Sequence, residues 1–558
     1  MKVYTSQPIS IPRDQNLTEL LHTTAWSLPE SHLIAKDSLT NRSITLGELR
    51  DRAGRIAKGL KDALRPVDQA RWAIVLPNSV EFLEVFHSIL WTGGVVCPIN
   101  YALKASEIGH GLAVSRPHFI VSYGPTVPAI TEAIEVAYES LRAQGVAWRR
   151  PEVVTIISRA PGHKHKHIPD DFLAPRRLPV PHYADATVRL ATIHLSSGTT
   201  GHPKGVELTH HNFVANVLQL VAHDAAQFHR GSRTVAFTPW AHIGMTTMPL
   251  FLGPYTGMMH HAMPSYNLET FAELVGSNQA TSFQGVPSVV LAMTNSDITE
   301  RHDFSRAQVL NVGGAPLKAD LVARVLARAP WQFNQVYGMT EAAGYVAYQK
   351  LGEQLPDGVV GRMLPGIEAV LKKEGSTADV AEGEAGELWL RGPNITRGYA
   401  FNEEANRAAF PMEGWYNTGD VCKIDAEGLL SIVGRTKELI KYKGFQVSPA
   451  ELEGYLNSHP HVVEGGVGAV WDESQLTELP AAWVILKDHL KTERERRQAL
   501  KEIQQNVDSQ VSGYKKLRGG VWQVPAIPKN PTGKILRKKM VEMRDGLCSL
   551  EAAVLARL

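Results

Sequence analysis

The residues Leu195-Ser196-Ser197-Gly198-Thr199-Thr200-Gly201-His202-Pro203-Lys204-Gly205 gather hydroxyls, glycines and a lysine into one run. Glycine lets the backbone turn tightly and come close to a ligand. Successive backbone N–H groups and hydroxyls can wrap an anionic phosphate, and Lys204 adds a positive charge. Ser196, Ser197, Gly198, Thr199, Thr200 and Lys204 are therefore candidate phosphate-binding residues. Lysine does not follow the second glycine of a G-x-x-x-x-G run here, so this is not the loop of an ordinary kinase or GTPase. Ser/Gly/Thr runs also serve as linkers, but one of this length between two strand-like segments points to a ligand.

The elements around the run must hold it in place. Helix-like and strand-like segments alternate in the first half of the chain, the pattern of an α/β fold. Arg71-Trp72-Ala73-Ile74-Val75-Leu76-Pro77 reads as a buried strand, and Glu81 to Leu90 as a helix with Phe82, Leu83, Phe86 and Leu90 at helical spacing. Val188 to Leu195 is a strand leading into the phosphate loop, and Val206-Glu207-Leu208 leaves it. A helix follows from about Thr209, with Phe213, Val217, Leu220 and Val221 on one face. Further on, Leu430-Ser431-Ile432-Val433 ends a hairpin whose turn is Asp425-Ala426-Glu427-Gly428. A basic stretch follows, and then Ser448-Pro449-Ala450-Glu451, where Ser448 can cap a helix, Pro449 takes its first position and Glu451 closes a capping box. About a hundred residues with their own patterns come after it, enough for a small separate domain.

A chain of 558 residues exceeds what one core supports, so at least two domains are expected. Lys+Arg 58 against Asp+Glu 56 leaves a net charge of +2, which excludes the strongly basic surface of a nucleic-acid protein. Cys97, Cys422 and Cys548 lie far apart, with neither metal-ligand nor disulfide spacing. The most apolar stretch, Val85 to Ile99, is interrupted by His87, Ser88, Thr92, Gly93 and Gly94 and is too short to span a bilayer, so no stable membrane insertion is expected. His163-Lys164-His165-Lys166-His167 reads as a solvated loop, since its lysines repel a cation. The chain closes on Ala556-Arg557-Leu558, a small-basic-leucine variant of the Ser-Lys-Leu peroxisomal address. A peroxisomal import receptor is the partner such a tail would engage; without it the expectation is cytoplasmic. Leu550, Val554 and Leu555 also allow a frayed helix end.

Downstream of the phosphate loop lie Gln335-Val336-Tyr337-Gly338-Met339-Thr340-Glu341, Gly386-Glu387-Leu388-Trp389-Leu390-Arg391-Gly392, Tyr416-Asn417-Thr418-Gly419-Asp420, Gly434-Arg435-Thr436-Lys437-Glu438-Leu439-Ile440-Lys441-Tyr442-Lys443-Gly444-Phe445-Gln446-Val447 and Pro531-Thr532-Gly533-Lys534. In type and order these motifs resemble those of the adenylate-forming superfamily, most of all its 4-coumarate–CoA ligase and acyl-CoA ligase branch. The resemblance covers nearly the whole chain. It implies a large multi-subdomain α/β N-terminal adenylation domain with mixed sheets and helices (1–434), a small mobile α+β C-terminal domain (435–545) and a tail (546–558).

The resemblance also assigns roles. ATP, Mg²⁺ and CoA would be used with a small-molecule carboxylic acid, through an acyl-AMP intermediate. Lys534 would contact the reacting carboxylate and the α-phosphate. Thr199, Thr200 and Lys204 would hold the outer phosphates, Thr340 the α-phosphate and Glu341 the Mg²⁺. Asp420 would accept the ribose hydroxyls, supported by Arg435. Tyr337 would stack on adenine, with Gln335 beside it. His242, in Pro239-Trp240-Ala241-His242-Ile243-Gly244, would lie by the acyl carbonyl. Lys437 would be the hinge, Lys441 and Gln446 would face the adenylate during thioester formation, and Lys443 and Gly444 would line the CoA channel. The acid would reach a pocket bounded near His242, Gly314, Val336 and Tyr348. The chain departs from the family pattern at Val336, where glycine is common, at Gly314, where alanine is usual, and at Ala241, where an aromatic is usual. The stretch Arg159 to Pro181 is longer and more irregular than the family norm. Aromatic and medium-chain acids fit a pocket so altered. Two other acceptors stay open, a carrier-protein thiol and oxygen in a luciferase-like reaction, as does nucleotide binding without chemistry. The sequence sets no oligomeric state.

Overall fold

The computed structural model describes residues 2–162, 164–196, 203–285, 287–294, 296–313, 323, 326–328, 331–356, 358–435, 438–442, 445–473, 475, 477–511, 513–529 and 533–550. The expected first strand forms over Arg71–Val75, with Trp72, Ala73, Ile74 and Val75 wholly buried. It sits inside a seven-stranded sheet. There it pairs in parallel with Val95–Pro98 and Phe119–Ser122, which pair in turn with Leu190–Ser196 and Glu152–Thr155. A parallel sheet is covered on both faces, which is why these strands read as continuous apolar runs rather than alternating ones. The helix Val80–Trp91 is buried on every side, and its Phe82 and His87 reach Trp240 and the Leu250 carbonyl.

The second sheet has fourteen strands and two characters. Leu33–Asp37, Met259–Ala262, Arg233–Ala236, Ser282–Gly285, Val309–Gly313 and Gln332–Met339 run parallel to one another, with Ser43–Thr45 antiparallel at the outer edge. From Gln332–Met339 onward, Gly344–Tyr348, Val359–Met363, Leu429–Arg435, Tyr416–Ile424, Gly386–Arg391 and Glu368–Lys372 pair antiparallel. Gln332–Met339 is thus the strand at which the sheet changes character, and ligand crevices favour such switch points.

Residues beyond 439 build a smaller α+β unit. It contains a hairpin (Ile440–Tyr442 with Phe445–Val447), a three-stranded sheet (Val462–Asp472, Thr477–Leu486, Val521–Gln523) and the helices Pro449–Asn457, Glu493–Ser509 and Arg537–Val541. Its apolar core is its own, drawn from Ile440, Val447, Leu452, Val467, Val484, Leu500 and their neighbours. This is the large and small α/β architecture expected from the sequence. No described helix is long and apolar enough to cross a membrane, and all three cysteines are free and buried.

Two local expectations are corrected. Ser448 stands at the N-cap and Pro449 at the first helical position, but no capping box forms. Glu451 instead accepts both contacts from the Lys515 ammonium, at 2.8 Å each, because a charged donor outbids a backbone amide. The His/Lys loop is not wholly solvated either. His167 turns inward, bridges Thr155 and places Nδ1 2.9 Å from its Oγ1, while Lys164 and Lys166 stay exposed. His163 lies outside the described residues.

The irregular stretch 159–181 has a structural role. Ala174 and Leu178 donate their amides to the carbonyls of Arg55 and Gly54 on the helix Leu46–Leu64, and Trp91 Nε1 donates to Leu178 and Pro179. Phe172 closes over that helix so tightly that a Cβ on Gly59 would fall 1.8 Å from the Phe172 carbonyl oxygen. Glycine to alanine inside a helix ordinarily stabilises by about 1 kcal/mol. Here the sign reverses: Gly59→Ala is expected to cost about 1–3 kcal/mol through the backbone shift it forces. The check is a lowered denaturation midpoint against wild type, with a rise in midpoint refuting the strap.

Candidate active site

The phosphate run is the tip of an antiparallel pair, Leu190–Ser196 with Lys204–Thr209, in which Ser196 lies opposite Lys204. Ser197, Gly198, Thr199 and Thr200 lie outside the described residues. Lys204 Nζ stands 4.8 Å from the centre of the Tyr399 ring, a cation held over a π face. Tyr399 lies on the short strand Gly398–Tyr399, which pairs with the strand leaving the run. Its hydroxyl donates to Glu341 Oε1 at 3.0 Å and lies 3.3 Å from the Tyr416 hydroxyl.

Glu341 follows the switch strand directly. Gly338 is required there, since a Cβ would meet the Gly344 carbonyl oxygen at 1.9 Å, and the sheet register shifts between Tyr337 and Gly338. Asn216 and Asn394 brace the turn beyond Glu341 through the Tyr345 and Ala342 backbone, and Thr247 Oγ1 donates to the Ala343 carbonyl at 2.6 Å. Burial raises the Glu341 pKa, while Tyr399, Arg435 and Lys204 oppose the rise. A nearly enclosed carboxylate with its charged form disfavoured fits a divalent cation, which would restore the charge balance. Thr340 is half-buried beside it.

Asp420 lies on Tyr416–Ile424, directly across from Arg435 on Leu429–Arg435. Its two oxygens are answered separately. Arg435 Nε lies 2.8 Å from Oδ1, and the Tyr337 hydroxyl donates to Oδ2 at 2.6 Å. Burial pushes the Asp420 pKa up, and Arg435, Tyr337 and Lys534 pull it back. Lys534, from the small C-terminal unit, is thus within electrostatic reach of Asp420. Glu438 positions it, with Oε1 2.9 Å from Nζ and Oε2 3.3 Å from Arg537 Nε. Burial alone would raise the Glu438 pKa, but Lys534 and Arg537 bring it below its usual value, so the anchor stays charged.

His242 caps a short helical turn, Ile243–Met245. The residue is exposed, and the surrounding protein holds its pKa below the usual value by desolvation. Asn78 accepts from the Trp240 amide at 2.7 Å, and Thr246 Oγ1 bridges the Trp240 carbonyl and His194 Nε2. His194 is on the strand entering the phosphate run, so the two pieces share one buried network. Val336 lies beside Gly313 and, across the next pairing, beside Tyr348. Tyr348 is fully buried, and its hydroxyl accepts from Gln227 at 2.5 Å. The tyrosine that reaches the His242 turn is Tyr345, whose hydroxyl lies 3.3 Å from the Gly244 carbonyl. Gln335 is half-buried on the switch strand.

Lys441 is not with the others. Its ammonium pairs with Glu374, in the turn after the strand Glu368–Lys372, at 2.9 Å. Gly314, Lys437, Lys443 and Gly444 lie outside the described residues, and so does the Gln446 side chain. Asn78, His194, Tyr345, Tyr399 and Glu438 went unread in the sequence. Only Glu438, inside the basic motif, carried a usable signal.

A family model described as AMP-binding enzyme matches residues 28–400, and one described as AMP-binding enzyme C-terminal domain matches residues 451–534. The chain belongs to the AMP-binding enzyme family. Within this adenylate-forming superfamily it is similar to the "4-coumarate--CoA ligase-like 9" of Arabidopsis thaliana, 31% identical over 92% of this chain and 87% of the relative. It is also similar to the "Peroxisomal OPC-8:0-CoA ligase 1" of Arabidopsis thaliana, 30% identical over 91% and 90%. The fold matches the anthranilate CoA ligase AuaEII solved with anthranoyl-AMP, with a TM-score of 0.82 at 24% identity over 95% of this chain and 98% of that one. This AMP-binding enzyme is an acid–CoA ligase of the AMP-forming type.

Two measurements probe the site. Tyr337→Phe keeps the ring and removes one donor from the buried Asp420, so ATP affinity by calorimetry is expected to fall about tenfold. Glu341→Gln keeps the shape and removes the charge, so the Mg²⁺ concentration that half-saturates pyrophosphate release is expected to rise about tenfold or more at fixed pH.

Proposed function

We propose that the chain joins an aromatic or medium-chain apolar carboxylic acid to CoA, with Lys534, His242 and Thr340 at the reacting groups during the first step. The carrying observation is the convergence of Lys534, Asp420, Arg435 and Tyr337 at the switch strand, within one electrostatic neighbourhood. A carboxylate oxygen of the acid attacks the α-phosphorus of ATP, the bond to the bridging oxygen breaks, and pyrophosphate leaves. The negative charge that grows on the phosphorus oxygens is met by the Lys534 ammonium and the Thr340 hydroxyl. Lys204, Thr199 and Thr200 hold the outer phosphates, Glu341 the Mg²⁺, and Asp420 the ribose hydroxyls. Tyr337 faces the adenine, with Gln335 beside it. His242, kept neutral by its surroundings, offers a hydrogen bond beside the acyl group.

In the second step the CoA sulfur attacks the acyl carbon, the carbon–oxygen bond to AMP breaks, and AMP departs. The small unit must turn for this, since Lys441 now sits on Glu374 and away from the cleft. We place the hinge at Lys437, so that the large domain runs through Arg435 at the end of its last strand, one residue past the expected limit of 434, and the small one ends at 545; Gln446, Lys443 and Gly444 lie on the face that turns in. The Lys441–Glu374 pair is largely exposed on the lysine side, and such pairs contribute about 0–1 kcal/mol. A contact that weak suits a face that has to let go. The acid pocket is bounded by His242, Gly314 and Val336, with Tyr345 in the place expected of Tyr348, which lies in the core, and the valine narrows it where the family commonly has glycine. The tail Ala556-Arg557-Leu558 addresses the chain to peroxisomes through the import receptor, a reading supported by the peroxisomal name of one relative.

The test is mass-spectrometric. Purified protein with Mg²⁺, ATP and pooled aromatic and C6–C12 acids is expected to give acyl-CoA only when CoA is present. Acyl-AMP that accumulates with no thioester, CoA being present, moves the acceptor to a carrier protein. Two variants separate the steps. Lys534→Ala is expected to slow acyl-AMP formation by about 100-fold or more while ATP affinity stays within about threefold. Lys441→Ala is expected to slow thioester formation from preformed acyl-AMP more than it slows acyl-AMP formation. Equal loss in both steps for Lys441→Ala refutes the turning unit.

A further inference from the structure

Behind the turn that carries His242 is a small cavity. One wall is a face of the parallel half-sheet, and the other is the wide helical segment Thr246–Leu252, a π-helix with Pro249 inside it. Helical segments of this kind are uncommon and favour functional sites. Thr234 and His260 face each other in register on neighbouring strands, and directly opposed residues share a sheet face. With Gln284, Phe237, Met245 and Met248 they line the cavity.

The polar groups here are unmatched. His260 is 1% exposed, and neither of its ring nitrogens has a hydrogen-bond partner. The Thr234 hydroxyl, at 3% exposure, has none either. Buried polar groups are ordinarily paired, so two adjacent residues left without partners mark a place where a partner arrives. Burial lowers the His260 pKa to about 3, so the ring is neutral and presents one donor and one acceptor. Gly253 seats it, since a Cβ there would fall 2.8 Å from His260 Cδ2. The remaining walls are apolar except for Gln284 and Thr238. The water-reachable volume is about 10 Å³, the room of one water-sized group.

The cavity adjoins the site already described. Met245 is on the turn that His242 caps, and the Tyr345 hydroxyl lies 3.3 Å from the Gly244 carbonyl and 3.9 Å from the Met248 sulfur. We propose that this cavity is the far end of the acid pocket, and that His260 and Thr234 select acids bearing an uncharged hydroxyl remote from the carboxylate. The inference rests on the ligase reading above. The carbon skeleton stays in the acid pocket on the His242 side, and only the terminal hydroxyl enters, donating to one partner and accepting from the other. A distal carboxylate is disfavoured, because no cation waits among the lining residues.

Matched pairs decide it: C6–C12 alkanoic acids against their ω-hydroxy counterparts, and cinnamic against 4-hydroxycinnamic acid, with kcat/KM for acyl-CoA formation as the readout. The wild type is expected to prefer the hydroxylated member of at least one pair by about 10- to 100-fold, the size of effect when a site's buried polar groups would otherwise go unpaired. His260→Leu is expected to reduce that preference to within about threefold, with the loss falling mainly on the hydroxylated member. Thr234→Val, nearly isosteric, reduces it in part and decides the matter if His260→Leu does not fold. An unchanged preference in the variants overturns the proposal and leaves the cavity holding a buried water only. Equal loss for both members of a pair also overturns it. A wild type that activates acids with no preference in any pair overturns the subsite alone, whereas one that activates no acid overturns the ligase reading with it.

Discussion

A carboxylate buried in a protein must be answered by charge and by hydrogen-bond donors, and Asp420 sets that requirement for this fold. Its oxygens have separate partners, Arg435 on one side and Tyr337 on the other. Arg435 comes from the strand directly across, and Tyr337 from the strand where the large sheet turns from parallel to antiparallel. Satisfying one carboxylate therefore fixes how the antiparallel half sits against the parallel half. The glycine at 338, which lets the next strand approach, and the asparagines behind Tyr345 follow from the same need. Glu341 extends the principle one step along the chain, where a tyrosine hydroxyl and two cations at longer range leave room for a metal ion.

The balance of strong and weak contacts around the small unit is uneven. Lys534 is held by Glu438, itself shared with Arg537, in a half-buried cluster where charge is poorly screened. Lys441 is held by one exposed pair. The present arrangement therefore keeps the lysine proposed for the first step oriented, and binds the lysine proposed for the second only loosely.

The sequence made much of this legible, for physical reasons. Buried parallel strands read as apolar runs, and Arg71–Val75 and Leu190–Ser196 formed within a residue or two of where the runs lay. The helix Val80–Trp91 was readable from its spacing. Contacts decided in three dimensions were not readable. Glu451 had a backbone amide in reach and took Lys515 instead. His167 looked solvated because its neighbours are charged, although Thr155 waited inside. Tyr345 and Tyr348 cannot be told apart by type. A register shift of the switch strand and the position of Gln227 send one to the His242 turn and the other into the core. Asn78, far from any motif, and His194, on the strand that enters the phosphate run, support the turn through hydrogen bonds that leave no pattern along the chain.

Arg435 closes the last strand of the large sheet, and the proposed pivot at Lys437 comes immediately after it. The proposed grip on the ribose therefore belongs wholly to the large-sheet part of the molecule. In the proposed turn of the small unit, Asp420, Arg435 and Tyr337 need not let go, and the activated acid would stay moored while its surroundings are exchanged. An anhydride that water would destroy is thereby never set adrift between the two reactions. The same mooring makes AMP, which keeps the ribose, the last product to be surrendered, so the pace of the whole cycle can come to depend on the handle by which its fragile intermediate was protected.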